Sequence, residues 1–436
     1  MDFTTAFKFS GISVFSPDGT KLANSAGVRL CIRDVQSLEM IKLHTCVDKI
    51  GYLEWSCDSQ YVLCMLTGRD IIQIYAVNSI HQVARIDEGN GGLRSVQWLP
   101  SGRHVLTLAE HSLRVTIWSL LDKDDIKQIK QPKCDDDQNL IVSFTRDRKY
   151  MALVERRGCK DYILVVDIDN FAIVRRWEID GTSDVQKLEL SPDGCRLCCI
   201  DGMFTFRALI YALDGKLLSV IAPGKAILGA RTLDWSSDGS LLAIGGYDGN
   251  CRVVSHISWK AFACLEHPTS ISSNTVVVFK EQEYTAKSGE EVRGCKYEIC
   301  NQPFQLPQRT GASDKASAKL GVKKVAFSCD GLYMCTCDES TPNCVFIWSI
   351  RKMCLEAVLV HMKPVKSVQW DPCHTRLGIC TGVKRFYLWS PSGCTCVDTV
   401  HPEFSVQNFT WNADGCALVL EDKLSFCMAY PAWNDL

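Results

Sequence analysis

Short apolar runs separated by polar turns fill the chain, and inside the runs the pattern repeats every two residues. "KLANSA" from Lys21, "YVLCML" from Tyr61, "HVLTLA" from His104, "LLAIGG" from Leu241 and "LGICTG" from Leu377 are all strand-sized. No segment sustains the 3.6-residue stripe of an amphipathic helix, so the pattern predicts strands throughout. The strands come in a fixed order. An apolar strand ends in Trp, Phe or Leu, and a Pro-Asp-Gly or Ser-Asp-Gly turn follows, where Asp and Gly accept left-handed backbone. A buried strand comes next, then a short polar turn. A β-branched and aromatic strand follows, as in "LRVTIWSL" from Leu113, "CVFIWSI" from Cys344 and "RFYLWS" from Arg385. A fourth strand closes the unit, as in "KLLSVIA" from Lys216 and "WKAFACLEH" from Trp259.

The residue before each turn marks the period: Phe15, Trp55, Trp98, Phe144, Leu190, Trp235, Phe327, Trp370 and Trp411. Neighbouring marks lie 40 to 46 residues apart, apart from one double interval of 92 between Trp235 and Phe327. Four-stranded units at this spacing predict an all-β, WD-repeat β-propeller. The WD dipeptide is worn down: its place holds Arg33-Asp34, Tyr75-Ala76, Trp118-Ser119, Val166-Asp167, Tyr211-Ala212, Trp348-Ser349 and Trp389-Ser390. The preceding Gly-His is not recognisable. The expected architecture is one large ring of about nine divergent blades. Two smaller propellers are the alternative, because four to eight blades per ring is usual. Residues 1–266 carry the first blades, 267–321 an insertion that reads as hairpin or worn tenth unit plus mobile loop, and 322–436 the remaining blades. The last unit has three strands only, and "DFTTAFKF" ahead of the first blade could supply its outer strand and protect the seam.

Composition narrows the function classes. A net charge of -2 gives no overall field for nucleic acid or anionic membrane. The N-terminus has no apolar core of a signal peptide, and runs such as "IIQIYAV" are too short to span a bilayer. The 24 cysteines fall mostly inside strand-like runs and read as reduced, space-filling thiols. Cys373, His374, Cys380 and Cys394 lie close enough in sequence to raise a metal site. They spread over a turn and successive strands, whereas zinc needs four converging ligands, so core filling with an exposed His is the preferred reading. The C-x-x-C within Cys195, Cys198 and Cys199 has no distant partner pair. No hydrolase, metalloprotease or P-loop motif occurs, and neither a cofactor nor an enzymatic activity is expected. Asp124-Asp125 and Asp135 to Asp137 read as solvated connectors. Arg156, Arg157 and Lys160, and in another blade Lys384 and Arg385, are either acidic-partner contacts or ordinary hairpin tips.

Several stretches carry more than blade grammar: "MALVERRGCKDYILVV", "YALDGKLLSV", "IGGYDGNCRVVSHISWKAFACLEHP" and "GICTGVKRFYLWSPSGC". Their order, with the insertion between "HP" and "KYEI", resembles the WD-repeat family of centrosomes and spindle poles encoded antisense to a tumour-suppressor-family gene. The resemblance implies a non-enzymatic scaffold in the cytoplasm and cytoskeleton, at the centrosome, spindle pole or ciliary basal body. It implies a coiled-coil microtubule-anchoring partner of the afadin- and alpha-actinin-binding type, and in fungal relatives a minus-end-directed kinesin. Partner contacts are expected, from loop position alone, at Arg156, Arg157, Lys160, Asp161, Tyr247, Asp248, Lys384 and Arg385. An RNA- or translation-associated propeller and a hydrolase in the central channel are the competing readings.

Overall fold

The computed structural model describes residues 1–9, 11–79, 81–224, 228–285, 293–309, 320–399, 401 and 403–431. Among these, every regular element is a strand apart from two short 3-10 turns, Gly89–Gly91 and Glu110–Ser112. The strands form nine antiparallel blades in chain order. Blade 1 runs from Ser13 to Thr45, blade 2 from Ile50 to Asp87, blade 3 from Leu93 to Lys130 and blade 4 from Val142 to Glu178. Blade 5 covers Val185 to Ile221, blade 6 Ala230 to Glu266, blade 7 Val322 to Val360, blade 8 Ser367 to Asp398 and blade 9 Asn408 to Tyr430.

The core is divided among the blade interfaces. Each apolar cluster takes residues from two consecutive blades, for example Leu30 and Ile32 with Trp55 and Val62. Another joins Phe15 and Leu22 of blade 1 to Val419, Phe426 and Met428 of blade 9. That last cluster closes the ring, so the blades form one propeller and not two.

The residue marking each turn explains itself here. The indole N–H of Trp55 donates to the carbonyl of Val14 at 3.0 Å, Trp98 to Glu54 at 3.2 Å, Trp370 to Ala326 at 2.9 Å and Trp411 to Gln369 at 3.3 Å. Each bond reaches one blade back along the inner wall. The residue before the mark reaches forward. Glu54 Oε2 accepts the Trp98 N–H at 2.9 Å, Ser143 Oγ the Leu190 N–H at 3.0 Å and Asp234 Oδ2 the Phe327 N–H at 2.8 Å. The turn itself is held by side chains: Ser56 Oγ donates to Asp58 at 2.6 Å and accepts the Tyr61 N–H at 2.9 Å. The same pair recurs at Ser236 and Asp238.

Burial pushes the Asp234 carboxyl up to about 7, against an ordinary value of 3.8. Between those values the folded chain holds a proton that the unfolded chain has released, so this group's contribution to stability is lost as pH rises toward 7. Asp234→Asn keeps an acceptor for Phe327 and removes that loss. Its stability relative to the parent is expected to grow between pH 4 and 7 in urea titrations; a constant offset would contradict the assignment.

The seam uses the N-terminal segment. Asp2–Phe3 and Phe7–Lys8 both pair antiparallel with Ser425–Tyr430 of blade 9. Phe7 stacks on Phe426 at 5.4 Å, and Phe9 meets the same ring edge-on at 5.5 Å. Thr4 bridges the break between the two short strands: its hydroxyl accepts the Met428 N–H at 3.0 Å while its own N–H donates to the Met428 carbonyl at 3.0 Å.

The insertion is a hairpin and not a tenth blade. Val277–Thr285 pairs antiparallel with Arg293–Ile299, and it also lies parallel against Cys354–Val360, the outer strand of blade 7. Blade 7 therefore has six strands. Ser270–Ile271 and Phe304–Gln305 form a small separate pair beside it. The stretches of the insertion read as mobile loop lie mostly outside the described residues.

Candidate partner-binding face

Antiparallel strands put alternate turns at opposite ends of every blade. The turns between second and third strands, together with the connections from blade to blade, form one face, called the upper face here. The Ser-Asp turns and the turns between third and fourth strands form the lower face.

All eight residues singled out as contacts belong to upper-face turns, but of blades 4, 6 and 8, so they do not form one patch. Several are engaged inside the protein. Asp161 is buried; its Oδ2 accepts the Val185 N–H at 3.0 Å, and Arg156 lies 3.5 Å away. Arg156 also pairs with Asp184 at 2.8 Å. Arg157 reaches the buried Glu155 at 2.9 Å, and Lys160 pairs with Glu178 at 2.5 Å near the surface. Tyr247 lies under the Arg231 guanidinium, 5.4 Å from its ring centre, and Asp248 binds Arg252 at 2.6 Å. Gly321 lets the connection into blade 7 pass beside Tyr247. Its φ is +130°, and a Cβ there would sit 2.5 Å from the Tyr247 Cα.

Arg385 corrects the reading from loop position most clearly. It is buried and contacts three carboxylates: Glu281 at 3.3 Å, Glu283 at 3.0 Å and Asp398 at 3.0 Å. Two of these come from the inserted hairpin, which packs against blade 8, a neighbour that blade periodicity does not reveal. Lys384, next to it, stays partly exposed while its carbonyl accepts both the N–H and the hydroxyl of Thr399 at 2.9 Å.

Glu281 is the centre of this polar network. It also accepts the Tyr387 hydroxyl at 2.7 Å and the Met362 N–H at 2.8 Å. His361 Nδ1 lies 4.0 Å from it and 3.2 Å from the Tyr297 hydroxyl. Burial lowers His361 from 6.5 to about 4, with the Glu281 charge opposing it. Between those values the unfolded chain binds a proton that the folded chain refuses, so stability falls as pH drops through the window. His361→Gln is expected to flatten that acid limb relative to the parent in pH-dependent melting; parallel curves would contradict it.

Two further polar links escaped sequence reading. In blade 3 the Trp118 indole donates to Thr107 at 2.9 Å and to Glu88 at 3.2 Å, and Glu88 also binds Arg114 at 3.1 Å. In blade 7 the Trp348 indole donates to Thr336 at 2.8 Å, and Thr336 meets His267 Nε2 at 2.7 Å. His267 and Glu88 both stand on blade-to-blade connections, where each ties a Trp–Thr pair to the upper face. The "EHP" before the insertion was the available signal for the first.

Cys373, His374, Cys380 and Cys394 do not converge on a metal site. Cys373 Sγ is bonded to the Ala413 carbonyl, His374 to Asp371, Cys380 to the Gln407 carbonyl, and Cys394 packs in the interface of blades 7 and 8. Among the described residues no group of three His, Cys, Asp or Glu side chains is arranged to hold a metal. All 24 cysteines are free thiols.

The turns of the two faces differ in apolar exposure. Among the described residues, exposed large apolar side chains on the upper face are Val28, Val47, Leu113, Phe204, Leu228, Leu320, Met362 and Leu424. The lower-face turns have Leu121 and Ile257, while Met40, Ile126, Ile173 and Leu217 are exposed on the outer strands where these start from the lower face. The asymmetry follows from turn chemistry, since the Ser-Asp turns below satisfy their own backbone with polar side chains.

The comparisons bear on the same architecture. The model of the WD domain, G-beta repeat, matches residues 222–255. The chain is 38% identical to mouse (Mus musculus) WD repeat-containing protein WRAP73, over 99% of this chain and 96% of the relative. The chain belongs to the WRAP73 family of WD-repeat proteins. A second relative, target of rapamycin complex subunit wat1 of Schizosaccharomyces pombe, is 25% identical over 44% of this chain and 60% of its own length. Among solved structures, the C-terminal WD40 domain of Sif2 covers 99% of both chains with a TM-score of 0.54 and 11% identity. The structure titled eukaryotic initiation factor covers 91% of this chain and 90% of its own, with a TM-score of 0.60 and 10% identity. These two likenesses are of fold alone. A WRAP73-family chain is thus a WD-repeat scaffold, here a ring of nine blades whose exposed apolar turn residues lie mostly on one face.

Proposed function

We propose that this WD-repeat scaffold is non-enzymatic and works at the centrosome, spindle pole or ciliary basal body. It helps anchor microtubule minus ends and organise spindle and cilium assembly by holding a coiled-coil anchoring protein, with a minus-end-directed kinesin as a further partner. The observation that carries this reading is the match to WRAP73 along nearly the whole length of both chains. A ring of many rigid loops with an apolar-studded face suits capture of helices and peptides. The RNA- or translation-associated alternative has only the initiation-factor likeness of fold behind it. The test is to tag the chain at its own locus, follow it through division and identify what co-purifies. Concentration at the poles with a coiled-coil protein is expected. Diffuse signal throughout the cycle, with no such partner, overturns the reading.

A further inference from the structure

On the upper face, the sector from the end of blade 7 through blades 8 and 9 to blade 1 differs from the rest. Its apolar points are Met362, 52% exposed, Leu424, 74% exposed, and Val28, 40% exposed. Around them stand Lys363, Lys384, Lys423, Arg29 and Lys8. Lys8 belongs here because it pairs with Ser425, next to Leu424 in the chain. None of these five cations has an ion-pair partner among the described residues.

Acids are scarce in the same sector, and most are engaged. Asp398 and Glu283 are taken by Arg385, Asp422 accepts from the Ser405 hydroxyl at 2.8 Å, and Glu421 accepts from the Asn408 amide at 3.2 Å. Glu403 is exposed. The upper face of blades 2 to 4 contrasts with this: Asp70, Glu110 and Asp135 to Asp137 stand there, and the exposed cations are engaged, Arg69 with Asp48, Arg157 with Glu155, Lys160 with Glu178 and Arg94 with the Gln138 carbonyl. Cations without an ion-pair partner among the described residues therefore gather in one sector, although the whole chain is near neutral.

We infer that this basic, apolar-studded sector docks an acidic amphipathic α-helix of a partner protein. The unpaired lysines supply charge complementarity to a carboxylate-lined helix and steer its approach. Met362, Leu424 and Val28 give its apolar stripe a seat, which a chain of phosphates would leave unused. The sector also covers the seam, since Lys8 and Leu424 lie where the N-terminal segment meets blade 9. The inference deepens the scaffold reading by naming the docking surface and the chemistry of the partner.

The test compares the full chain with the triple variant Lys363→Glu, Lys384→Glu, Lys423→Glu. A control variant, Arg146→Glu with Lys149→Glu, changes exposed cations of the lower face. The probe is a fluorescein-labelled peptide of about four heptads with Leu at a and d and Glu at e and g. The comparison probes are the same peptide with Ser for Leu, a DNA duplex, and phosphatidylserine vesicles. Saturable, salt-sensitive binding of the Leu peptide is expected, at least about tenfold weaker in the triple variant and unchanged in the control, with both variants melting like the parent. Should the triple variant melt lower, Lys423→Gln alone, read by the same titration, must still weaken binding. No binding by the parent, equal binding of the Ser peptide, or tighter binding of DNA or vesicles overturns the inference. Both variants are also tagged in dividing cells. If the parent concentrates at poles and the triple variant does so with its partner retained, the docking inference fails while the scaffold reading stands. If the parent is diffuse, the scaffold reading fails and the peptide titration judges the surface alone.

Discussion

Glu281→Ala is expected to lower unfolding free energy by about 3–5 kcal/mol, the cost of leaving a buried charge without its partner. The charge left behind is Arg385, with Glu283 and Asp398 as its remaining, more exposed contacts. The Tyr387 hydroxyl and the Met362 N–H lose their acceptor at the same time. Because the same carboxylate links hairpin, blade 7 and blade 8, the double variant with Arg385→Ala should cost clearly less than the sum of the two single changes. Urea unfolding of the two single variants and the double variant measures this. Additive losses, or a loss below about 1 kcal/mol for Glu281→Ala, would show that the network does not join the hairpin to the ring.

Removing residues 2–8 should cost as much or more. Phe7 and Phe3 leave the interfaces they pack into, and Ser425–Tyr430 becomes an open edge. A single buried Phe→Ala change costs about 3–5 kcal/mol, and Phe9→Ala, at the buried residue just after the removed segment, gives the reference for that scale. The truncated chain is expected to melt well below the parent, with amide protection lost first in Asn408–Trp411 and Ser425–Tyr430. An unchanged melting curve would mean that the segment clasps nothing.

Repeat phase was readable because its physics is local. Each Trp or Phe mark precedes a short polar turn, and the bonds that make the mark useful, such as Trp98 to Glu54, recur about one repeat apart along the chain. Nine marks therefore translate into nine blades. What did not recur was not readable. The hairpin strand Val277–Thr285 looks like any apolar strand, and its parallel pairing with Cys354–Val360 depends on a neighbour more than 70 residues away. For the same reason Arg385 reads as a loop cation in "GVKRFY" although Glu281 neutralises it in the interior. Glu88 and His267 perform one task with different chemistry, so no dipeptide could announce them. The apolar and basic character of one face is a property of turns from different blades brought together, and periodicity is blind to it.

Nine blades closed into one ring by the segment Asp2–Lys8 underlie every contact described above. An experimental density map of the full-length protein tests that most directly. It should count nine sheets around one channel, with Asp2–Lys8 on the last and the 277–299 hairpin on the seventh. A map with two rings, or with a free N-terminus beside an open ninth blade, would contradict it.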